Sequence, residues 1–132
     1  MKKTATLVLV CLLALALLAG CGGEKLPGGL EAAKMEPLAK ELLDATFARD
    51  YDKMVQLVSP DGPTAEVWQA EVESHLDAFG PFVEYGEVEC VPYEHPTMGD
   101  LGVALVETVF ENQTVVFQVA FTPDYEIVLL VF

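Results

Sequence analysis

Three stretches near the C-terminus decide the fold: residues 102–111 read GVALVETVFE, residues 114–121 read TVVFQVAF, and residues 126–132 read EIVLLVF. Valine, isoleucine, phenylalanine and threonine dominate them, and these residue types favour β-strands. The breaks between them, Asn112-Gln113 and Pro123-Asp124, hold residues that favour tight turns. This region is therefore predicted to form three strands that pair as antiparallel hairpins.

The pairing of these strands follows from the turns. With Asn112-Gln113 as a two-residue turn, Phe110 faces Val115 and Thr108 faces Phe117, and Thr122 is expected to face Glu126. Because side chains alternate along a strand, each register assigns every residue to one face. The predicted core face consists of Ala104, Val106, Thr108, Phe110, Val115, Phe117, Val119, Phe121, Ile127, Leu129 and Val131. The predicted outer face consists of Val103, Leu105, Glu107, Val109, Val116, Gln118, Ala120, Val128, Leu130 and Phe132.

A fourth strand is predicted from Phe82 onward, where the apolar spacing changes to two. Val83 and Tyr85 share one parity, whereas Val88 and Cys90 share the other. One extra residue near Gly86-Glu87 would place all four on the core face, which is the signature of a β-bulge. Residues 92–101 are predicted to form a long loop.

Helical spacing precedes the strands. A first helix is predicted from Pro37, which suits a first helical position, through Arg49. Asp50 can cap a second helix that runs to Val58. A third helix is predicted over residues 64–79, with Trp68 on its apolar stripe. The order of elements predicts an α+β fold in which three N-terminal helices pack on one face of a curved four-stranded antiparallel sheet.

The N-terminus carries the features of a secretory signal. Met1-Lys2-Lys3 is basic, residues 7–18 are apolar, and the run ends in Leu18-Ala19-Gly20-Cys21. The apolar run is shorter than the roughly 20 residues that cross a bilayer. Leu-Ala-Gly-Cys resembles the lipobox of bacterial lipoproteins. That resemblance implies cleavage between Gly20 and Cys21, and lipid attachment at Cys21.

The expected organisation follows from this start. Residues 1–20 form the signal peptide, residues 21–29 a flexible Gly- and Pro-containing linker, and residues 30–132 a single domain. The lipid would hold the protein on the extracytoplasmic face of the cell membrane.

Charge and cysteine content exclude several functions. The chain has 7 basic and 21 acidic residues and a net charge of −14. This balance argues against binding to nucleic acid or to anionic lipid surfaces, because both require basic patches on the protein. A cationic partner is compatible with the negative charge. Cys90 is the only cysteine outside the signal and lipobox. No cysteine or histidine spacing indicates a metal site, and no cofactor is expected.

A family resemblance rests on a few short motifs. They are Leu42-Leu43, Asp50-Tyr51, Trp68, Phe79-Gly80-Pro81-Phe82, and Phe121-Thr122-Pro123-Asp124 before Ile127. In these motifs the chain resembles the bacterial domain of unknown function 3887 family, within the nuclear transport factor 2-like superfamily. The resemblance implies a cystatin-like cone formed by the helices and the curved sheet. It transfers no catalytic residues.

Two kinds of site are predicted. A cone interior could be lined by Trp68, His75, Tyr85, Thr108 and Phe117. If the protein is a small enzyme, His75, Tyr85 and Asp100 would be its acid–base groups, since histidine titrates near neutral pH. Ketosteroid-isomerase-like members of the superfamily use an acid and a tyrosine inside the cone, but no spacing here matches theirs. The alternative for His75 is a boundary residue paired with Glu71.

The second candidate site is the apolar outer face of the sheet. Its predicted interface residues are Val103, Leu105, Val109, Val116, Val128 and Leu130. A large apolar patch usually marks an interaction site, so a homodimer or an envelope protein partner is expected there unless residues 30–36 fold over it. The sequence thus favours a membrane-anchored binding or interaction module over an enzyme, with a purely structural envelope component as a further alternative.

Overall fold

The structure, a computed structural model, describes residues 25–132. The signal peptide, Cys21 and residues 22–24 lie outside the described residues. The elements in chain order are α1 (Ala32–Phe47), α2 (Tyr51–Leu57), α3 (Ala65–Phe79), β1 (Phe82–His95), β2 (Gly99–Phe110), β3 (Thr114–Phe121) and β4 (Ile127–Val131).

The four strands form one antiparallel sheet in the order β1-β2-β3-β4. The three helices pack against one side of it, which is called the inner face below; the other side is the outer face. The main core lies between the helices and the inner face. The predicted α+β class, with three helices preceding a four-stranded antiparallel sheet, is confirmed.

Helix α1 begins five residues before Pro37, the predicted start, and contains this proline. Proline lacks an N–H and therefore removes one helical hydrogen bond. The early start is stabilised because Met35 is fully buried in the main core. The helix ends at Phe47 rather than Arg49: Arg49 takes a positive φ of 58°, and the Asp50 N–H donates to the Ala45 carbonyl at 2.9 Å. This closure is a Schellman motif.

The predicted Asp50 cap is confirmed, and Thr64, predicted as the first residue of the third helix, is the cap of α3. The Asp50 carboxylate accepts from the Lys53 N–H at the start of α2, and the Thr64 hydroxyl accepts from the Val67 N–H at the start of α3. Gly80 follows α3 with a φ of 83°, a conformation that glycine adopts without steric cost.

The predicted bulge in β1 is confirmed at Gly86-Glu87. Tyr85 pairs with Thr108 and Val88 pairs with Val106, so two residues of β1 stand opposite one residue of β2. A second irregularity between Phe82 and Glu84 was not predicted. It turns the Val83 side chain away from the core, and this side chain is 52 % exposed. The assignment of Val83 to the core face was therefore wrong.

The long loop predicted over residues 92–101 is instead a hairpin. β1 continues to His95, and β2 starts at Gly99. Pro92 pairs with Gly102 inside the sheet. A proline is tolerated here because β1 is an edge strand, and its missing N–H can face away from the neighbouring strand.

The β2–β3 register differs from the prediction by two residues. Thr108 pairs with Val115, and Val106 pairs with Phe117. The two-residue turn does not form because the connection binds elsewhere: the Asn112 N–H donates to the Phe79 carbonyl at 3.0 Å, and the Asn112 side-chain amide donates to the Ala78 carbonyl at 3.0 Å. A two-residue shift preserves parity, so the faces predicted for β2 and β3 still hold.

The face assignment of β4 was wrong for four residues. The Thr122 N–H does donate to the Glu126 carbonyl, as expected. Phe121 then pairs with Ile127 but Ala120 pairs with Leu129, so Val128 is an extra residue that reverses the parity beyond it. Leu129 and Val131 therefore lie on the outer face, whereas Leu130 packs on the inner core. Phe132 also lies on the inner side, with its ring centroid 5.2 Å from that of Phe117.

Part of the predicted linker lies against the domain. Leu26 packs on the main core. The Tyr125 hydroxyl donates to the Gly29 carbonyl at 3.2 Å and accepts from the Glu31 N–H at 2.9 Å. These contacts connect Gly29 and Glu31 to the β3–β4 turn.

Candidate binding surface

The predicted interior site is filled by side chains. Phe117 and Thr108 are fully buried, and Trp68 is only 6 % exposed. The Phe117 ring lies within 5.4 Å of the Phe47 ring, centroid to centroid, and Phe79 and Phe110 complete the cluster. The Thr108 hydroxyl donates to the Val106 carbonyl at 3.3 Å. These three predicted pocket residues are therefore part of the packed core.

His75 lies outside that core. Its side chain is exposed on α3, and its ring meets the Phe132 ring edge-on at 5.1 Å between centroids. The alternative pairing of His75 with Glu71 is not formed. Within residues 25–132, no hydrogen bond or ion pair joins these two side chains. His75 therefore caps the exposed edge of the aromatic cluster.

Tyr85 takes part in a contact that the sequence did not predict. Its hydroxyl donates to the Asp44 carboxylate at 2.6 Å, and Lys40 Nζ lies 5.2 Å from the ring centroid. Burial, reinforced by the hydrogen bond and the negative charge of Asp44, raises the pKa of Tyr85 far above its ordinary value. Asp44 lies on α1, 41 residues before Tyr85, and no local sequence signal connects them.

The predicted acid–base set is not assembled. Asp100 pairs with Glu94 near the β1–β2 turn, whereas Tyr85 lies opposite Thr108 at the other end of β2. Eight residues of strand separate Asp100 from Thr108, a distance of roughly 25 Å. His95, in the same hairpin, accepts the N–H groups of Thr97 and Met98 at its Nδ1, each at 3.1 Å. This histidine shapes the turn.

The outer face contains an apolar groove of about 320 Å³. Two rows of side chains cross all four strands here, as the pairings show, and all of their residues except Glu89 line the groove. The first row is entirely apolar: Val91, Val103, Ala120 and Leu129. The second row is mixed: Glu89, Leu105, Gln118 and Val131. Pro92, Tyr93 and His95 complete the lining at the β1 edge.

Most of the predicted interface residues lie on this face. Val103 is buried in a second, smaller cluster with Leu101 and Ala120, against which Leu105 and Val128 pack. Val109 is half-buried, and Val116 is 50 % exposed. Leu130 is the exception, because the β4 irregularity places it on the inner face. The sequence analysis assigned Tyr93 to the loop and Leu129 to the core face, and it assigned Val91 to neither face.

Residues 30–36, the segment predicted as an alternative cover for the outer face, do not lie on that face. Leu30 is buried in the main core, and Met35 also packs there. Both approach Gly102 on the inner face, where a side chain would collide with them: an added Cβ would lie 2.7 Å from a Leu30 methyl group. Among residues 25–132, no helix lies over the groove.

The outer face is also negatively charged. Glu84 and Glu89 stand opposite Val109 and Leu105, and Glu107 stands opposite Val116. One Glu107 carboxylate oxygen accepts the Glu87 N–H at 3.1 Å, which fixes this side chain across the bulge. No lysine or arginine follows Lys53 in the sequence, so none of the strands carries a basic residue other than histidine.

Two further features are absent from the described part of the chain. Residues 25–132 contain no group of three or more histidine, cysteine, aspartate or glutamate side chains that could hold a metal ion. None of the described helices is long and apolar enough to cross a membrane.

Comparisons with known proteins add evidence on the fold alone. No family model and no curated protein matches the chain. Among solved structures, it is similar to an NMR structure of a protein from Ruminococcus gnavus ATCC 29149, with a TM-score of 0.68 and 19 % sequence identity. The match covers 82 % of this chain and 96 % of that one. At this identity the likeness shows that the two proteins share an α+β fold.

Proposed function

We propose that this protein is a lipid-anchored extracytoplasmic lipoprotein whose domain binds a partner protein through the outer face of its sheet. The observation that carries the binding role is the apolar groove on that face. On the same face Val116 and Val131 are 50 % and 46 % exposed, and exposed apolar surface typically marks an interaction site. The centre of the inner face supports no such role, because Thr108 and Phe117 are fully buried beneath the helices.

The anchoring part of the proposal rests on the sequence. Lys2-Lys3, the apolar run and Leu18-Ala19-Gly20-Cys21 resemble a lipoprotein signal, and more than one acyl chain on Cys21 would give stable attachment. Cys21→Ser should move the protein from the membrane fraction to the soluble extracytoplasmic fraction, and intact mass should show lipid on the parent only. Membrane retention of the variant, with no lipid on the parent, would contradict the anchor.

The binding role is tested by photo-cross-linking in cells. A photoreactive residue replaces Val116 or Val131, which are 50 % and 46 % exposed on the outer face. The control position is Val67 on α3, which is 43 % exposed on the opposite layer. An adduct of one reproducible mass is expected from the two outer-face positions and not from Val67. If neither outer-face position forms such an adduct, the proposed function fails.

The nuclear transport factor 2-like cone is the finer structural proposal. The order of three helices followed by a four-stranded antiparallel sheet, together with the bulge in β1, supports it. In this chain the core between the helices and the inner face is packed, so the proposed binding occurs on the outer face. A purely structural envelope role is the remaining alternative, and it predicts no specific adduct from either face.

A further inference from the structure

The outer groove combines three properties: it is apolar, no helix among residues 25–132 covers it, and the strands place Glu84, Glu89 and Glu107 on the same face. One basic residue, Lys25, lies beside Pro92 and Tyr93 at the β1 edge of the groove. We propose that the groove binds a cationic amphipathic segment of a partner protein, with apolar side chains on the groove floor and lysine or arginine against Glu89 and Glu107. This inference rests on the proposed function, which requires only that the outer face binds a protein.

The positions of the carboxylates carry the proposal. Glu89 begins the mixed row and faces Leu105 directly. Glu107 lies two residues beyond Leu105 on the same strand, and therefore on the same face. Both carboxylates thus border one end of the apolar floor. A lysine or arginine can lay its aliphatic stem along the floor while its charged group reaches them.

Charge complementarity disfavours a second copy of this chain as the occupant. Two outer faces in contact would bring Glu84, Glu89 and Glu107 of each copy into one interface. The sheet supplies no lysine or arginine to compensate, since the sequence has none after Lys53. Like charges placed together in an interface are costly. Anionic lipid is disfavoured for the same reason.

Binding of designed peptides to the purified full-length chain tests the inference. The probe is a fluorescent twelve-residue peptide of alternating leucine and lysine. One control replaces every lysine by glutamate, and the other replaces every leucine by serine. By fluorescence anisotropy, the leucine–lysine peptide should bind at least about tenfold more tightly than either control, because it alone matches both the apolar floor and the charge.

Matched variants locate the binding site. Glu89→Gln with Glu107→Gln should weaken binding by about three- to tenfold, as expected for two solvent-exposed ion pairs. The Glu107→Gln change retains a side-chain oxygen that can accept the Glu87 N–H. Glu66→Gln with Glu71→Gln changes the net charge equally on exposed positions of α3 and should leave the affinity unchanged. Val131→Glu should abolish binding, and circular dichroism checks that each variant is folded.

The outcomes separate the inference from the proposed function. Equal binding of the lysine and glutamate peptides, or an affinity insensitive to E89Q with E107Q, would overturn the inference even if cross-linking from Val116 succeeds. An outer-face adduct of twice the chain mass would also overturn it, because the occupant would be a second copy. Absence of outer-face adducts would instead refute the proposed function itself.

Discussion

The two faces of the sheet are both rich in apolar residues, yet they differ in what covers them. The inner face lies under three helices, and rings of Phe47, Phe79, Phe110 and Phe117 fill the space between the layers. The outer face has a comparable apolar row but an open groove above it. Apolar content along a strand therefore does not distinguish a core from a binding surface; the packing of the other elements does.

The largest expected effect comes from neighbouring residues of β3 that point to opposite faces. Phe117→Ala should lower the free energy of unfolding by about 3–5 kcal/mol, because a fully buried ring is removed and a cavity is left. Val116→Ala, one residue earlier on the outer face, should change it by less than about 1 kcal/mol, since surface substitutions are usually mild. Urea denaturation measures both.

Similar losses from these two variants would contradict the two-face description. A large loss for Val116→Ala would mean that the outer face is covered in solution, for example by self-association. Repeating the measurement at several protein concentrations separates these cases, because the stability of an oligomer depends on concentration.

Parity along the strands made much of this comparison predictable from sequence. The faces of β2 and β3 were predicted correctly although the register was wrong by two residues, because a two-residue shift preserves parity. The Gly86-Glu87 bulge was predicted because Tyr85 and Val88 otherwise point to opposite faces. The Asp50 cap was predicted because its chemistry is local.

Features that depend on distant contacts were not predictable. Asn112 leaves the expected turn because it binds the end of α3, and the turn residues carry no sign of that contact. The extra residue Val128 reverses the parity of β4, and an unbroken apolar run such as Ile127–Val131 gives no alternation from which to detect it. At the candidate site, the groove was predicted in part: Val103 and Leu105 were identified, whereas Leu129 was assigned to the core face and Tyr93 to a loop.

A smaller effect is expected at the edge of the inner face, where Tyr85 binds Asp44. The folded state raises the pKa of Tyr85 above the unfolded value of 10.0, so the stabilisation is fully present below about pH 10. It is lost progressively at higher pH, because the unfolded chain then loses the proton that the folded chain retains. The free energy of unfolding should therefore decrease above pH 10, as measured by urea denaturation between pH 8 and 11.

Tyr85→Phe should cost about 1 kcal/mol at neutral pH through loss of the hydrogen bond, and it should make the alkaline decrease shallower. Some decrease should remain, because burial also raises the pKa of Tyr51. Tyr93→Phe removes an exposed hydroxyl on the outer face and is the matched control. An unchanged alkaline slope in Tyr85→Phe would show that its hydroxyl is not held by Asp44 in solution.

The smallest expected effect concerns Cys90, which pairs with Ala104 and packs against the main core while remaining half-buried. Burial is the first cause that raises the pKa of its thiol, and the carboxylates of Glu36 and Glu89 add to it. Because the thiolate is the reactive form, labelling by a thiol reagent at pH 8 should be slower in the native protein than in urea.

The Glu36→Gln variant should accelerate native labelling by about twofold or less, since the interaction of exposed charges is weak. It also releases Lys40, which Glu36 binds at 2.8 Å, and both changes favour the thiolate. Glu31→Gln removes an equivalent exposed carboxylate paired with Lys34 and should leave the rate unchanged. Native labelling as fast as that of the unfolded chain would show that this edge of the inner face is open.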